Sequence, residues 1–416
     1  MSKAGLFILG LQHLFTMFGA TVLVPYLTGV PVTVALFAAG VGTLLFHVIN
    51  KSKVPIFLGS SFAYIAPINA VILYYANVPK AIGSVPEALA SGFAISPEVI
   101  GYATGGILLA GLFQVVIAFI IKQVGLAKFE KLFSPAVISG VIIVIGLNLA
   151  PVAISMASSN WWLAIVTLVT VIIVRLYAKG FTKALPVLSG IAVGYAIAAI
   201  FGYIDFSGIT SAAWVGVPQF ILPRFSLYSL LVILPVAIAP TIEHFGDIFA
   251  VSAIVGKKFY LDPGIPRTLT GDGLATALAG AIGAPANTTY SENTGVLALT
   301  KVFNPIVMQI AAVCAIILSF IPKVGAAIQS IPVAVMGGIE IILFGMIASI
   351  GIKTLITSHK VKELADKDLL ILAIMLVVGL GGAMVSIGTI NFSGIGLAAI
   401  VGIVLNLIFI LTKRTD

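Results

Sequence analysis

The sequence predicts an all-α polytopic membrane protein with about 14 transmembrane segments in two inverted repeats of seven. The first observation is composition: of 416 residues, 60% are hydrophobic and 9% are charged, whereas a soluble domain carries about 25% charged residues. The second is the number of apolar runs, which is the same in each half of the chain. The third is that one run in each half, at matching positions, is short and interrupted by polar residues and glycine.

The apolar runs are long enough to cross a bilayer, since about 20 residues span its hydrocarbon core. The first seven runs lie roughly at 4–30, 32–50, 55–76, 97–122, 134–157, 160–178 and 184–204. The second seven lie roughly at 226–255, 268–283, 284–300, 303–322, 327–351, 369–388 and 391–412. Because seven is odd, the second half must enter the membrane upside down relative to the first, as in the inverted repeats of secondary transporters.

The cations set the expected orientation. All lysines and arginines except Lys80, Arg224 and Lys323 fall in alternate loops on one side, which the positive-inside rule makes cytoplasmic. Both termini are therefore expected in the cytoplasm, with the chain embedded in the plasma (inner) membrane and its lipid bilayer. The net charge of +8 reflects this topology, so no nucleic-acid partner is expected.

The connections between runs fall into two classes. Residues 77–96 and 205–225 are expected to be outer segments, the second at the membrane interface. Residues 353–368 form the most charged inner connection and are expected to be a short solvated loop.

Enzyme and metal chemistry lack their sequence signals. Cys314 is the single cysteine, so the chain has no intrachain disulfide and no cysteine pair for a metal. There is no His-Glu-x-x-His motif and no phosphate-binding glycine loop. The sequence therefore predicts no enzyme, no cofactor, no metal site and no ATP-driven pump.

Segments 3 and 10 are the two interrupted runs, and each is predicted to be a short extended strand followed by a half-helix. Segment 3 contains Gly59-Ser60-Ser61-Phe62, and segment 10 runs from Asn287 to Gly295. Extended backbone is tolerated at this depth only where it is buried in protein or lines water. Paired broken segments in the two halves predict a transport site.

Three carboxylates lie in these apolar surroundings. Glu243 and Asp247 of segment 8 are four residues apart, so they share one helix face, and Glu292 opens the half-helix of segment 10. A charged carboxylate at the bilayer centre costs about 2.5–3.5 kcal/mol on the insertion scale and usually marks a functional site. Glu243 and Asp247 are expected to carry a proton; the alternative is that they cap a helix end or bind an unrelated cation.

Carboxylates beside the free N–H groups of a half-helix complement a planar ring that has both N–H and C=O groups, such as uracil. Glu243 and Glu292 are expected to accept hydrogen bonds from the ring. Backbone N–H groups near Phe62 and Ser291 are expected to donate. The Phe62 side chain is expected to stack on the ring, with plain packing as its alternative.

Other polar residues of the spans receive supporting or peripheral roles. Gln12 and His13 are expected to bond neighbouring helices, with His13 ordering the half-helices. His244 is expected to be a packing residue, and Asp272 is expected near the cytoplasmic interface, either solvated or coupled to transport. Glu340 is expected to contact a neighbouring helix or local water. The remaining histidines, His47 and His359, are expected to be peripheral.

These residues carry a resemblance to a known family. Glu292-Asn293-x-Gly295, four further residues and then Thr300 resemble the signature of the nucleobase–ascorbate transporter family, in particular its bacterial uracil permease branch. The stretches 12–15, 17–20, 59–63 and 287–290 agree with the same family. The resemblance covers essentially the whole chain.

The resemblance implies a fold and an activity. It implies a core domain of residues 1–123 and 226–323, holding segments 1–4 and 8–11. It implies a gate domain of residues 124–225 and 324–416, holding segments 5–7 and 12–14. The activity would be proton-coupled uptake of a nucleobase by alternating access, with sodium a less favoured ion, and some family members form dimers through the gate domain.

The resemblance also implies site residues. The substrate would lie between the strands of segments 3 and 10, bound by Glu243, Glu292, Phe62 and the backbone of Ser291. Tyr290 and Ala20 are also expected to contact the substrate. The residues expected to support the site are Gln12, His13, Asn293 and Ser61.

One position departs from the resemblance. Asp247 stands where close uracil permeases have histidine, and aspartate there resembles the purine-transporting branches, whereas glutamate at position 292 resembles uracil carriers. Ser291 replaces a glycine of close relatives. Uracil is therefore the favoured substrate, xanthine or uric acid is the rival, and an inorganic-anion exchanger of related fold is disfavoured by the acidic groups.

Overall fold

The computed structural model describes residues 3–79, 82, 84–358, 365–387 and 390–412, and this part of the chain is mostly helical. In the first half the helices are α1 Lys3–Thr28, α2 Val32–Ile49, α3 Ile65–Tyr75, α4 Val85–Ala90, α5 Pro97–Val124, α6 Leu126–Leu132, α7 Pro135–Asn148, α8 Ala150–Ser158, α9 Trp161–Tyr177 and α10 Pro186–Ile200. In the second half they are α11 Ser207–Ser211, α12 Leu227–Ile233, α13 Ile238–Val255, α14 Ile265–Ala281, α15 Ser291–Thr300, α16 Ile306–Ser319, α17 Pro322–Gln329, α18 Val333–Ser358, α19 Asp366–Leu380 and α20 Gly394–Leu411. The strands are β1 Leu58–Ser60, β2 Asn287–Thr289, β3 Met384–Ile387 and β4 Ile390–Ser393.

Short irregular turns join some of these helices. They are 3-10 turns at Phe62–Tyr64, Thr182–Ala184 and Leu234–Ala237, and a wider turn at Tyr260–Gly264. The helix starts follow local rules. Ser96 and Ser134 each accept a hydrogen bond from a backbone N–H of the first turn, and proline follows at the first helical position, where its missing N–H and fixed φ fit.

The helices agree with the predicted apolar runs. Each of the 14 runs contains a helix, which confirms the all-α membrane class. Among the described residues, seven helical stretches are long and apolar enough to cross a membrane by themselves, and the α16–α17 pair, bent by 86°, makes an eighth if it is one span. The remaining runs hold shorter or broken helices, and the number of 14 crossings stays a prediction.

The helices pack in two groups. The first helix group, α1, α2, α5, α14 and α16, surrounds β1 and β2. The second helix group consists of α7, α8, α9, α10, α18, α19 and α20. Small residues allow close helix contact in both: Gly111 of α5 lies against the backbone of α14, and Gly337 and Gly338 of α18 lie against α8 and α9.

Strands β1 and β2 cross antiparallel in the first helix group, with Leu58 opposite Thr289 and Ser60 opposite Asn287. The N–H of Ser61 donates to the carbonyl of Ala286 at 2.8 Å, and the N–H of Tyr290 donates to that of Phe57 at 3.0 Å. These bonds pair backbone groups that a continuous helix would have paired internally. A half-helix follows each strand, which confirms the broken form predicted for segments 3 and 10.

One predicted run and three predicted connections differ in part from the structure. The run 369–388 is helical only to Leu380, after which Met384–Ile387 pairs with Ile390–Ser393 as a β-hairpin. Gly382, with φ of 72°, adopts a left-handed conformation that ends the helix at low cost. The outer segments 77–96 and 205–225 contain the short helices α4 and α11, and α18 continues through the predicted inner loop as far as Ser358. His359 lies outside the described residues.

Candidate functional site

A cavity lies where the two half-helices begin and meets both helix groups. Its walls are Phe62, Ile142, Glu243, Asp247, Thr288, Thr289, Tyr290, Ser291, Glu292, Ile347 and Ile350. Its free volume is about 30 Å³, enough for about two water molecules at roughly 15 Å³ each. The cavity is therefore nearly closed in this conformation, and a ring-shaped ligand requires the walls to separate.

Six residues predicted for the site line this one cavity: Phe62, Glu243, Asp247, Tyr290, Ser291 and Glu292. They come from segments 3, 8 and 10, which are far apart in sequence. Ala20, also predicted to contact substrate, is buried in α1 and is not part of the cavity wall. Its predicted role requires a wall that moves, and the role stays a prediction.

The start of α15 supplies both backbone donors and a carboxylate. Tyr290 caps the helix in an extended conformation, and Ser291 and Glu292 occupy its first turn, whose N–H groups have no partner within the helix. The positive end of the helix dipole favours a negative or acceptor group at this place. Glu292 is only half-buried because it faces the cavity.

Asp247 is tied to segment 10 by two hydroxyl groups. The Thr289 hydroxyl donates to Oδ2 of Asp247 at 2.6 Å, and the Ser291 hydroxyl donates to Oδ1. Hydrogen bonds to a charged acceptor are stronger than neutral ones, so this pair joins α13 to the start of α15. The prediction gave Ser291 only a backbone role, and the structure adds its side chain.

Glu243 lies one turn from Asp247 on the same face of α13. It is half-buried and lines the cavity, whereas Asp247 is 5% exposed. The two acids therefore differ in their surroundings: hydroxyl groups of segment 10 hold Asp247, and Glu243 faces the free space. No group of three or more His, Cys, Asp or Glu side chains among the described residues is arranged to hold a metal ion.

Tyr290 joins the two broken segments. Its hydroxyl donates to the carbonyl of Ser60 at 2.9 Å and accepts from the Thr21 hydroxyl at 3.3 Å. Thr21 also lies beside Gly59, where a Cβ atom would collide with the Tyr290 ring. The crossing therefore needs a glycine at position 59, because strand, tyrosine and α1 approach so closely.

The predicted supporting residues lie around the crossing. The Asn293 amide donates to Nδ1 and to the carbonyl of His13, both at 3.1 Å, and thereby joins α15 to α1 in a buried contact. Gln12 is buried in α1, and Ser61 is buried beside β1. These positions suit a supporting role, which stays a prediction.

Two expectations of exposure outside the cavity are wrong, whereas the alternative that Asp272 is coupled to transport stays a prediction. Asp272 is fully buried and not solvated at an interface, with Oδ2 3.7 Å from Nδ1 of the equally buried His244. Nε2 of His244 is 2.9 Å from the Thr268 hydroxyl, so this histidine joins α13 to α14. His47 is 1% exposed and is not peripheral, because α14 and α16 pack on α2.

Sequence reasoning missed the apolar wall that the second helix group contributes. Ile142 of α7 and Ile347 and Ile350 of α18 close the cavity opposite the carboxylates. Phe344 of α18 meets Phe62 edge to face, with ring centroids 5.8 Å apart at 87°. Apolar residues in an apolar span carry no distinguishing signal, so only their position in the fold identifies them.

The comparisons with known proteins agree across the whole chain. A profile described as "Permease family" matches residues 4–388. The chain is 42% identical over 415 residues to a probable uracil permease of Pasteurella multocida (strain Pm70), covering 98% of this chain and 94% of that one. It is 42% identical over 420 residues to the uracil permease of Bacillus subtilis (strain 168), covering 96% and 91% of the two chains.

Solved structures share the fold at low sequence identity. The transmembrane domain of a cyanobacterium bicarbonate transporter, BicA, aligns with a TM-score of 0.64 at 16% identity over 97% of both chains. The structure of SLC26A9 aligns with a TM-score of 0.71 at 13% identity, over 98% of this chain and 65% of that one. The chain therefore has the inverted-repeat fold of these proteins.

Proposed function

The chain belongs to the nucleobase–ascorbate transporter family, and on that premise we propose that it carries uracil across the membrane. Relatives about 40% identical over nearly the full length are named uracil permeases. The observation that carries the proposal is the single cavity in which Glu243, Glu292 and Phe62 meet the start of α15. It offers carboxylate acceptors, backbone donors and an aromatic face within one small space.

The proposed recognition matches the polar edge of uracil. The two ring N–H groups donate to the carboxylates of Glu243 and Glu292. The ring carbonyls accept from free backbone N–H groups at the start of the half-helices, near Phe62 and Ser291. The Phe62 ring packs on the flat face of the base.

The cavity must open before any base binds. With about 30 Å³ free in this conformation, the walls must move for a pyrimidine as well as for a two-ring purine. Xanthine or uric acid is the rival substrate that Asp247 favours. An inorganic anion is disfavoured, because Glu243, Asp247 and Glu292 all face the site and like charges repel.

Proton coupling is part of the proposal. Glu243 is open to the cavity while two hydroxyl groups hold Asp247, so ligand and proton meet on one face of α13. Glu243 and Asp247, one helix turn apart on that face, are the proposed carriers of the proton. Sodium is the less favoured coupling ion.

The two helix groups are the proposed moving parts. The first corresponds to the core domain, residues 1–123 and 226–323, and the second to the gate domain, residues 124–225 and 324–416. The cavity lies between them, so sliding of the first group against the second exposes the site to each side in turn. We place both termini in the cytoplasm at the plasma membrane, with the gate domain as the dimer contact.

The test is uptake into proteoliposomes that contain the purified chain. Labelled uracil is offered under an imposed proton gradient, acid outside, and unlabelled uracil, xanthine, uric acid and hypoxanthine compete. We expect gradient-dependent uracil uptake that uracil alone competes away. Gradient-dependent xanthine uptake without uracil uptake would show that the substrate is a purine. Uptake that follows a sodium gradient would show that sodium, not the proton, is the coupling ion.

A further inference from the structure

Another buried carboxyl of the membrane region lies outside the cavity, on α18. Glu340 is 0% exposed, and both of its carboxyl oxygens lack a hydrogen-bond partner within the part of the chain that the structure describes. Burying a carboxylate without partners costs several kcal/mol. A protein keeps such a group only in its neutral form or where a second conformation supplies water.

The position of Glu340 on α18 relates it to the cavity. Phe344 is four residues further along and Ile347 seven, so all three share one face of the helix. Phe344 contacts Phe62, and Ile347 lines the cavity. With a rise of about 1.5 Å per residue, Glu340 lies roughly 10 Å along the axis from the level of Ile347.

The opposite face of α18 is fully packed. Gly338, about 200° around the helix from Glu340, lies against Ala164 of α9. Gly337, about 60° around the helix from Glu340, lies against Ala157 of α8, so Glu340 lies between the face of α18 that packs on α8 and the face that carries Phe344 and Ile347. Phe344 on the same face contacts Phe62, and Tyr26 of α1 is close enough to Glu340 for an electrostatic interaction, so this carboxyl lies near the contact between the two groups.

Other ionisable groups do not face Glu340 from the helices packed on α18. α7 and α8 carry none. The Tyr195 hydroxyl of α10 is bonded to Ser330, 2.7 Å away and before α18 begins. Arg175 of α9 is 11 residues beyond Ala164, roughly 16 Å along the axis, and Tyr177 is further still. Tyr26 is thus the titratable neighbour.

We propose that Glu340 is a second proton-binding site, which lies on the outer access path and is sealed in this conformation by contact of the two helix groups. The path runs from the lysine-poor end of α18, past Glu340 and Tyr26, to the Phe62–Phe344 contact above the cavity. When the groups separate, water reaches the carboxyl and it exchanges its proton with the outside. When the groups close, the carboxyl must be neutral, because burial of an unpaired carboxylate costs several kcal/mol.

This inference rests on the proposed uptake function and predicts a specific pH dependence. A free carboxyl loses its neutral population tenfold for each pH unit above its ordinary range. Closure of the outer path therefore slows at alkaline external pH. Glu340→Gln is neutral at every pH, so it removes this step and leaves the cavity unchanged.

The first experiment compares initial rates of labelled uracil uptake against external pH, at fixed internal pH, for the parent chain, Glu340→Gln and Glu340→Asp. We expect Glu340→Gln to match the parent at acid external pH and to exceed it by about tenfold per pH unit on the alkaline side. Glu340→Asp keeps a carboxyl and should keep the alkaline loss. Superimposable profiles of all three would show that Glu340 only packs. Failure of the parent to take up uracil would instead reject the proposed function.

A second measurement does not depend on the substrate. Because Cys314 is the single cysteine, Cys314→Ser gives a thiol-free background into which Glu340→Cys is placed. A charged, membrane-impermeant thiol reagent applied outside should label that position in proteoliposomes, while the equally buried Ser139→Cys on α7 stays unlabelled. Equal labelling of both, or of neither, would overturn the outer path.

Discussion

The two broken segments share one backbone plan and differ in chemistry. Each consists of a three-residue strand followed by a half-helix, and the strands pair with each other. Segment 3 contributes Gly59, which allows the Tyr290 ring to approach the strand closely, and the aromatic ring of Phe62. Segment 10 brings Thr289, Ser291 and Glu292, two hydroxyl groups and a carboxylate.

This difference shows how an inverted repeat becomes a specific site. Repetition supplies two opposed helix starts, each with free N–H groups, and that part follows from the backbone. Side chains then divide the work. Segment 3 provides shape and a ring face, whereas segment 10 provides acceptors and holds Asp247 of α13. Substitutions in the two segments should therefore fail in different ways.

The largest expected effect is on segment 10. Glu292→Gln replaces a charged acceptor by an amide, and hydrogen bonds to charged groups contribute about 1.5–3 kcal/mol. We expect uracil affinity to fall roughly 10- to 150-fold with little change in thermal stability. Binding is measured by scintillation proximity in detergent, with the exposed Asp205→Asn as control. Unchanged affinity would show that Glu292 does not bind uracil and that segment 10 does not supply the acceptor.

The next effect is on segment 3, and it concerns stability. In Gly59→Ala the new methyl group meets the Tyr290 ring and the Thr21 hydroxyl, and overpacking costs about 1–3 kcal/mol. We expect a lower melting temperature and loss of uptake. The matched control is Gly345→Ala on α18, which has open space around it and should gain up to about 1 kcal/mol in helix propensity. Equal melting of the two variants would show that the crossing tolerates a side chain.

The smallest effect separates the two hydroxyl groups that hold Asp247. Thr289→Val keeps the shape of the strand but removes one donor to Asp247, and losing a buried donor costs about 1–3 kcal/mol of stability. Ser291→Gly removes the other donor but keeps the backbone N–H proposed for the substrate. We expect Thr289→Val to melt lower and Ser291→Gly to keep uracil affinity within about threefold. A larger affinity loss in Ser291→Gly would make its hydroxyl a ligand contact.

The amino-acid sequence was sufficient to predict the membrane class, the two broken segments and the acids that line the cavity. These features are local: apolar runs follow from length and composition, broken spans follow from polar residues and glycine, and a buried carboxylate is conspicuous because it is costly. Glu243, Asp247 and Glu292 were each identifiable for that reason. Their shared cavity follows from the crossing of β1 and β2.

Which apolar residues face the site, and which polar residues are buried, depends on how the helices pack and could not be predicted. Ile142, Ile347 and Phe344 are indistinguishable in sequence from residues that face lipid, and only the contact of the two helix groups brings them to the cavity and to Phe62. Asp272 and His47, expected near the surface, are buried because other helices cover them. A side chain's depth depends on neighbours distant in the chain, and local patterns carry no record of those neighbours.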